Sequence, residues 1–215
     1  MKTGIIGSGI VGRVLATGLL KEGHEVMLGT RNTSKTEVTD WQHENPGGKT
    51  GSFEDAATFG DLLVLATGGA VIEEAIDLAG KENFTGKTVI DATNPISAAP
   101  PVNGVLQFFT SINGSLMEKI QILVPGANFV KAFNSVGSSL MYKPDYGPVT
   151  PTMFICGNNE AAKKMVTELL TNFGWETEDM GSAEAARAIE PLCMLWCIPG
   201  FLHNQWNHAF KLLKK

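Results

Sequence analysis

Residues 2–29 read KTGIIGSGIVGRVLATGLLKEGHEVMLG. Lys2 to Ile6 has the pattern of a short strand, and Gly7, Gly9 and Gly12 follow at once with the spacing G-x-G-x-x-G. Val11, Val14, Leu15, Gly18 and Leu19 then recur at the i, i+3, i+4, i+7, i+8 spacing of one helical face. Gly23 is a helix stop, and Glu25 to Gly29 reads as a second strand. Strand, glycine turn, helix and strand in about thirty residues make a βαβ unit. In that setting Gly7 permits the tight turn, Gly9 lets the backbone approach a pyrophosphate, and Gly12 lets the helix pack close to the sheet. The backbone of Gly7, Ser8, Gly9, Ile10, Val11 and Gly12 is therefore expected to hold a dinucleotide on the helix N-terminus, where free N–H groups and the macrodipole favour anions.

The alternation continues along the chain. A short strand is expected at Gly51 to Phe53 and a short helix at Glu54 to Thr58. Asp61 to Thr67 (DLLVLAT) is an apolar run suited to a strand buried on both faces. Helices are expected at 70–79, 115–123 and 161–173, and strands at 88–92, 128–133 and 152–156, with an edge strand at 175–179. These elements predict an α/β fold: a Rossmann-type, doubly wound, mostly parallel sheet over residues 1–181. A small C-terminal helical lobe, 182–215, is expected to follow, helical to the end with a kink at Pro191 and a firmer break at Pro199-Gly200. Its Trp196, Phe201, Leu202, Trp206 and Phe210 exceed what a short helical hairpin hides against its own sheet, which predicts a homodimer through these helices.

With 17 basic and 22 acidic residues the net charge is −5. That balance argues against nucleic acid or an anionic membrane as partner. No uninterrupted apolar run reaches the roughly 18 residues of a membrane span, and the N-terminal apolar stretch, broken by glycines, does not read as a leader. Cys156, Cys193 and Cys197 fit no disulfide framework and no zinc spacing, so a reducing, cytoplasmic setting and no metal are expected.

The end of the second strand decides which dinucleotide is bound. An acidic residue there would hydrogen-bond the ribose 2′-OH and repel a 2′-phosphate. The sequence instead has Thr30, Arg31, Asn32, Ser34 and Lys35, with no carboxylate before Glu37. This pattern predicts NADP(H). Arg13 can reach a phosphate or stand exposed. Three further loops fall at strand ends: Ala66-Thr67-Gly68, Thr93-Asn94-Pro95, and Ala132 to Gly137, which contains Asn134. Small residues there leave room for the nicotinamide ribose, and Asn134 could bond a carboxamide or an acceptor ring; Asn94 could also be a helix cap. No catalytic residue is assigned. His24, His43, His203 and His208 lie outside these loops, no Tyr-x-x-x-Lys pair occurs, and Lys131 could point either way. Hydride transfer between two ring cofactors needs little beyond alignment, so the missing acid favours a flavin-like acceptor over an alcohol or ketone.

Five segments together resemble the NADP oxidoreductases dependent on a deazaflavin coenzyme and the related cytoplasmic domain of the six-transmembrane ferric reductases. They are GIIGSGIVGRVLATGLLKEGHEVMLGTRN (4–32), VIDATNPI (89–96), VPGANFVKAFNS (124–135), FICGNNEAAKKMV (154–166) and GSAEAARAIEPLCMLW (181–196). The resemblance implies NADPH lying along Gly7 to Gly12 with Thr30, Arg31 and Lys35 around its 2′-phosphate. It also implies terminal helices that close the acceptor site and join a homodimer. The chain has Asn134 where similar deazaflavin reductases carry a histidine, and Gly68-Gly69 where they carry a proline-aromatic pair. Asn134 is closer to the ferric-reductase branch, which passes hydride to a flavin. The expected function is hydride transfer between NADPH and a small-molecule flavin or deazaflavin acceptor. The alternatives are reduction of a small imine or keto acid, and non-catalytic sensing of NADP(H).

Overall fold

The computed structural model describes all 215 residues. Eight strands form one sheet in the order β3-β2-β1-β4-β5-β6-β7-β8. The first six, β1 (Lys2–Ile6), β2 (Glu25–Gly29), β3 (Lys49–Gly51), β4 (Leu62–Leu65), β5 (Thr88–Asp91) and β6 (Asn128–Lys131), are parallel. β7 (Thr152–Gly157) turns antiparallel to β6, and β8 (Glu176–Asp179) follows β7 in parallel as the edge. The order reverses direction between β1 and β4, the switch point at which open α/β sheets bind ligands beyond the carboxyl ends of their strands.

Helices cover both faces, which explains why β4 and β5 are buried throughout. On one face α1 (Ile10–Lys21) and α6 (Glu160–Asn172) bury Leu15, Leu19, Val166 and Leu170 against Ile5, Val64 and Ile90. On the other, α3 (Phe53–Phe59), α4 (Ile72–Ala79), α5 (Leu116–Leu123) and α7 (Ala186–Ile189) bury Ala56, Ile76, Ile120 and Ile189 against Ile6, Leu65 and Val89. α2 (Thr36–Glu44) buries Val38 and Trp41. Ser52 starts α3 by accepting from the Asp55 N–H while the Asp55 carboxylate accepts from the Ser52 N–H, a capping box that Ser115 and Glu118 repeat at α5. That box sets one boundary differently from expectation: β3 ends at Gly51 because Ser52 is already the cap of α3.

The C-terminal segment departs furthest from expectation. α8 (Pro191–His203) runs straight through Pro199. The carbonyl that Pro199 leaves unbonded belongs to Leu195, which is 55% exposed, so water can take the missing donor's place. The helix ends instead at Asn204, in the left-handed region at φ 53°, where the N–H groups of Asn204 and Gln205 bond the Gly200 and Pro199 carbonyls. Residues 204–215 are not helical. They run back as an extended strap: the Thr152 N–H donates to the Phe210 carbonyl at 2.8 Å, Trp196 Nε1 donates to the His208 carbonyl at 2.8 Å, and Lys211 pairs with Glu176 at 2.6 Å. Trp206 lies on Gly200, where a Cβ would come within 2.2 Å of its ring. Trp196 is buried, and Trp206 and Phe210 are half-buried, by their own chain; Phe201 and Leu202 stay about half exposed at 47% and 50%.

The stretch Ala183–His203 is long and apolar enough to cross a membrane by length and composition, with a mean hydropathy of 1.3. A third of it is buried in the domain.

Candidate functional site

Two halves of a site lie along the carboxyl ends of the strands. The first is a cleft of about 190 Å³ above β2, β1 and β4, and Gly7, Ser8, Gly9, Thr30, Arg31, Lys35, Ala66, Thr67 and Gly68 all line it. Gly7 has φ 129°, and a Cβ there would sit 2.5 Å from the Ala66 carbonyl oxygen; a Cβ on Gly12 would sit 1.9 Å from the Gly7 oxygen. These two glycines shape the turn. Gly9 is different: nothing in the protein lies within 4 Å of where its Cβ would be. Gly9 is also the N-cap of α1, which has no side-chain cap and no acid in its first turn. The first N–H groups of α1 are thus left for an anion, and the space above Gly9 is open to one. A dinucleotide pyrophosphate fits this cradle. Thr67 Oγ1, in the same cleft, is buried without a protein partner.

The basic loop after β2 is braced from within. Thr30 is 3% exposed; its hydroxyl accepts from Ser8 Oγ at 2.9 Å and from the Asn32 N–H at 3.2 Å, and donates to the Asn32 carbonyl at 3.2 Å. Its hydrogen-bonding capacity is filled, so it holds the loop in shape. Asn32 Oδ1 accepts from the Ser34 N–H. Arg13 donates to the Ser8 carbonyl at 2.8 Å and so supports the glycine turn rather than facing outward. Arg31 is loosely held: its single ion pair, to Glu74, is 3.8 Å long with both side chains about 60% exposed (61% and 59%). Such a pair contributes little and is readily exchanged for a phosphate.

The second half lies beyond β5 and β6. Phe133 takes the left-handed φ of 63°, a costly conformation for an aromatic residue, and turns the chain so that Asn134 meets Asn94. Asn94 Nδ2 donates to the Asn134 carbonyl at 2.7 Å; Asn134 Nδ2 donates to Asn94 Oδ1 at 3.2 Å and to the Ile189 carbonyl at 3.0 Å. Asn94 is therefore a strand-end partner and caps no helix. Asn134 Oδ1 has no protein partner. Pro95 is buried beside this pair, and Ala132 is wholly buried within the core.

Beneath these loops lies a charge cluster that sequence reading missed. Lys131 is fully buried, with Nζ 2.6 Å from Asp91 Oδ2, 3.0 Å from Glu190 Oε1 and 3.0 Å from the Thr93 carbonyl. Asp91 Oδ1 accepts from the N–H and hydroxyl of Thr93, and Glu190 accepts from the N–H groups of Leu116 and Met117 at the start of α5. Burial works to lower the Lys131 pKa, but Asp91 and Glu190 outweigh it, so the ammonium holds its proton above the usual lysine range. Nearby, Arg187 pairs with Glu118, which holds that carboxyl at about 2. A cavity of about 310 Å³ opens between residues 108–114 and the junction of α7 and α8, with Phe108, Ser111, Arg187, Glu190 and Met194 on its walls.

Of the residues singled out in the sequence, Ile10 points away from the cleft and lines a groove outside α1. Phe53, Val71, Glu74, Ala75 and Leu78 line the cleft but were not foreseen. They come from α3 and the α4 region, whose packing beside β1 follows only from the strand order. The three cysteines are free. His208, expected on a helix, lies in the strap and stacks on Trp196.

A family model described as NADP oxidoreductase coenzyme F420-dependent matches residues 2–95. A crystal structure of a provisionally assigned F420-dependent NADP reductase from Arthrobacter sp. FB24 is 32% identical, with a TM-score of 0.90 and 99% of each chain covered. The F420-dependent NADP reductase of Methanocaldococcus jannaschii is 28% identical over 205 residues, 91% of this chain and 90% of that one. The rat metalloreductase STEAP3 (Rattus norvegicus) is 31% identical over 207 residues, 94% of this chain but only 39% of that protein's length.

Proposed function

Because this chain belongs to the family of coenzyme F420-dependent NADP oxidoreductases, we propose that it binds NADP(H) in the cleft over Gly9 and passes a hydride between it and a flavin-like acceptor, a deazaflavin first among them. The observation that carries the reading is the conjunction at the first cleft: an uncapped helix N-terminus under open space, and beside it Arg31 and Lys35 with no carboxylate at the end of β2. The bound dinucleotide would supply the hydride; the acceptor gains that hydride and a proton from solvent. The chain's own residues bind and align. The N–H groups of α1 hold the pyrophosphate, Arg31 and Lys35 the 2′-phosphate, and Asn94 and Asn134 bound the nicotinamide end.

The acceptor class rests on a chemical argument. Reduction of a carbonyl needs a positioned acid. Lys131 is the buried amine of this half, and its three protons already face Asp91, Glu190 and the Thr93 carbonyl. It is held as a cation with no proton to lend. A ring acceptor needs none from the protein, and the cavity beside Phe108 and Met194 offers apolar walls for one. We assign the contact between two copies of the chain to the exposed Phe201 and Leu202 at the end of α8.

Oxidation of NADPH by oxidised deazaflavin, free oxidised flavins and cyclic imines is the direct test. Turnover with the ring acceptors and not with imines is expected. Tight NADPH binding without turnover on any acceptor would make the chain a dinucleotide sensor. Arg31→Ala removes a charge-assisted phosphate contact, so NADPH should weaken by roughly ten- to a hundredfold while NADH changes little. Equal losses for both coenzymes would remove Arg31 from the 2′-phosphate.

A further inference from the structure

We propose that the buried Asp91–Lys131–Glu190 cluster places one net negative charge beneath the nicotinamide end of the cleft, so that the protein binds the oxidised dinucleotide more tightly than the reduced one and biases the bound couple toward hydride donation. The inference rests on the reading that NADP(H) occupies this site.

The charge state follows from the contacts. Asp91 Oδ1 accepts two hydrogen bonds from Thr93, and Oδ2 faces the Lys131 ammonium. Glu190 faces two backbone N–H groups and the same ammonium. The carboxylates are held by the Lys131 ammonium, three backbone N–H groups and the Thr93 hydroxyl. Two carboxylates and one ammonium leave a side-chain charge of −1, offset in part by the α5 N-terminus that Glu190 faces, among side chains that are at most 2% exposed.

Position follows from the strand ends. Asp91 is the last residue of β5 and Lys131 the last of β6. Thr93, which touches both through its N–H, hydroxyl and carbonyl, is followed at once by Asn94 of the site. Three residues of extended chain span at most about 10 Å. The nicotinamide ring is neutral in NADPH and carries a positive charge in NADP⁺; loss of the hydride is what creates that charge. At a separation on the order of 10 Å and an effective dielectric constant of about 20, one unit of negative charge favours the cation by roughly tenfold. NADPH, with no ring charge, gains nothing from it. The Arg187–Glu118 pair near the same junction is neutral as a unit and does not cancel the effect.

The test is the dissociation constants of NADP⁺, NADPH and the fragment 2′,5′-ADP, measured by calorimetry on the whole protein, on Glu190→Gln and on Asp91→Asn. Wild-type protein should bind NADP⁺ more tightly than NADPH. In each variant NADP⁺ should weaken by roughly tenfold, while NADPH and 2′,5′-ADP stay unchanged. Equal weakening of all three ligands, or an unchanged NADP⁺ to NADPH ratio, would mean the cluster is structural only and would overturn the proposal. Should both variants fail to fold, the wild-type ratio decides it: tighter NADPH than NADP⁺ refutes the bias. Wild-type protein that binds neither dinucleotide would instead remove the proposed function, and this inference with it.

Discussion

Three glycines with the same spacing rule have different physical duties. Gly7, at φ 129°, and Gly12 face backbone oxygens so closely that any Cβ collides with the chain itself. Gly9 has ordinary extended angles, φ −66° and ψ 178°, and faces open space. A side chain there costs the fold little but fills the cradle over α1. Gly9→Val should therefore keep its stability within roughly 1 kcal/mol and lose NADPH binding. Gly7→Ala should cost about 3 kcal/mol or more, from left-handed strain plus the clash with Ala66. Paired urea melts and calorimetry on the two variants check this. NADPH binding retained by Gly9→Val would show the turn to be structural alone.

At the scale of elements, α5 and α7 are joined by charge. Glu118 closes the capping box of α5 and receives Arg187 of α7 through Nε at 3.0 Å. Arg187, followed by the hydrogen bonds from Ser115, depresses the Glu118 pKa from 4.5 to about 2 against the opposing effect of burial. A depressed carboxyl stabilises the folded state fully above its unfolded value and loses that contribution as the pH falls through its folded value. The pair is part-exposed, so solvent screens most of its contribution. Arg187→Ala should lower stability slightly at pH 7, and the gap to wild type should close as the pH falls from about 5 toward 2. Denaturant melts across that range measure it; a gap independent of pH would place the loss in packing instead.

On the scale of the molecule, the strap 204–215 holds the end of the chain to β7 and β8 through Phe210, Lys211 and the Trp196–His208 contacts. Removing it uncovers Trp196 and discards two half-buried aromatic rings, a loss of about 3 kcal/mol. For a chain of this size that corresponds to a fall in Tm of roughly 6–12 °C. NADPH affinity should hold, since the strap lies along the β7–β8 edge of the sheet, away from β1 and β2. Calorimetric scans of protein ending at His203 test both halves. A change in Tm below about 2 °C would mean that the strap is not a structural tie.

Local sequence was enough wherever neighbours in the chain dictate the outcome. The 3.6-residue and buried-strand patterns placed seven of the eight strands, with β3 set two residues late, and most helices; the glycine spacing placed the first cleft, because a βαβ unit carries its own turn, face and helix N-terminus within thirty residues. The absence of a carboxylate after β2 was legible for the same reason. What the tertiary structure decided are contacts between distant positions. Lys131 in isolation could have pointed to either side; only the pairing of β5 with β6 and the docking of α7–α8 bring Asp91 and Glu190 to it, across 40 and 59 residues. Phe53, Val71 and Leu78 join the cleft only once β4 lies beside β1. α8 continues through Pro199 and ends only at Asn204, where the chain turns back and Trp206 packs on Gly200. Periodicity reports which face of an element is apolar; it does not report what that face will meet.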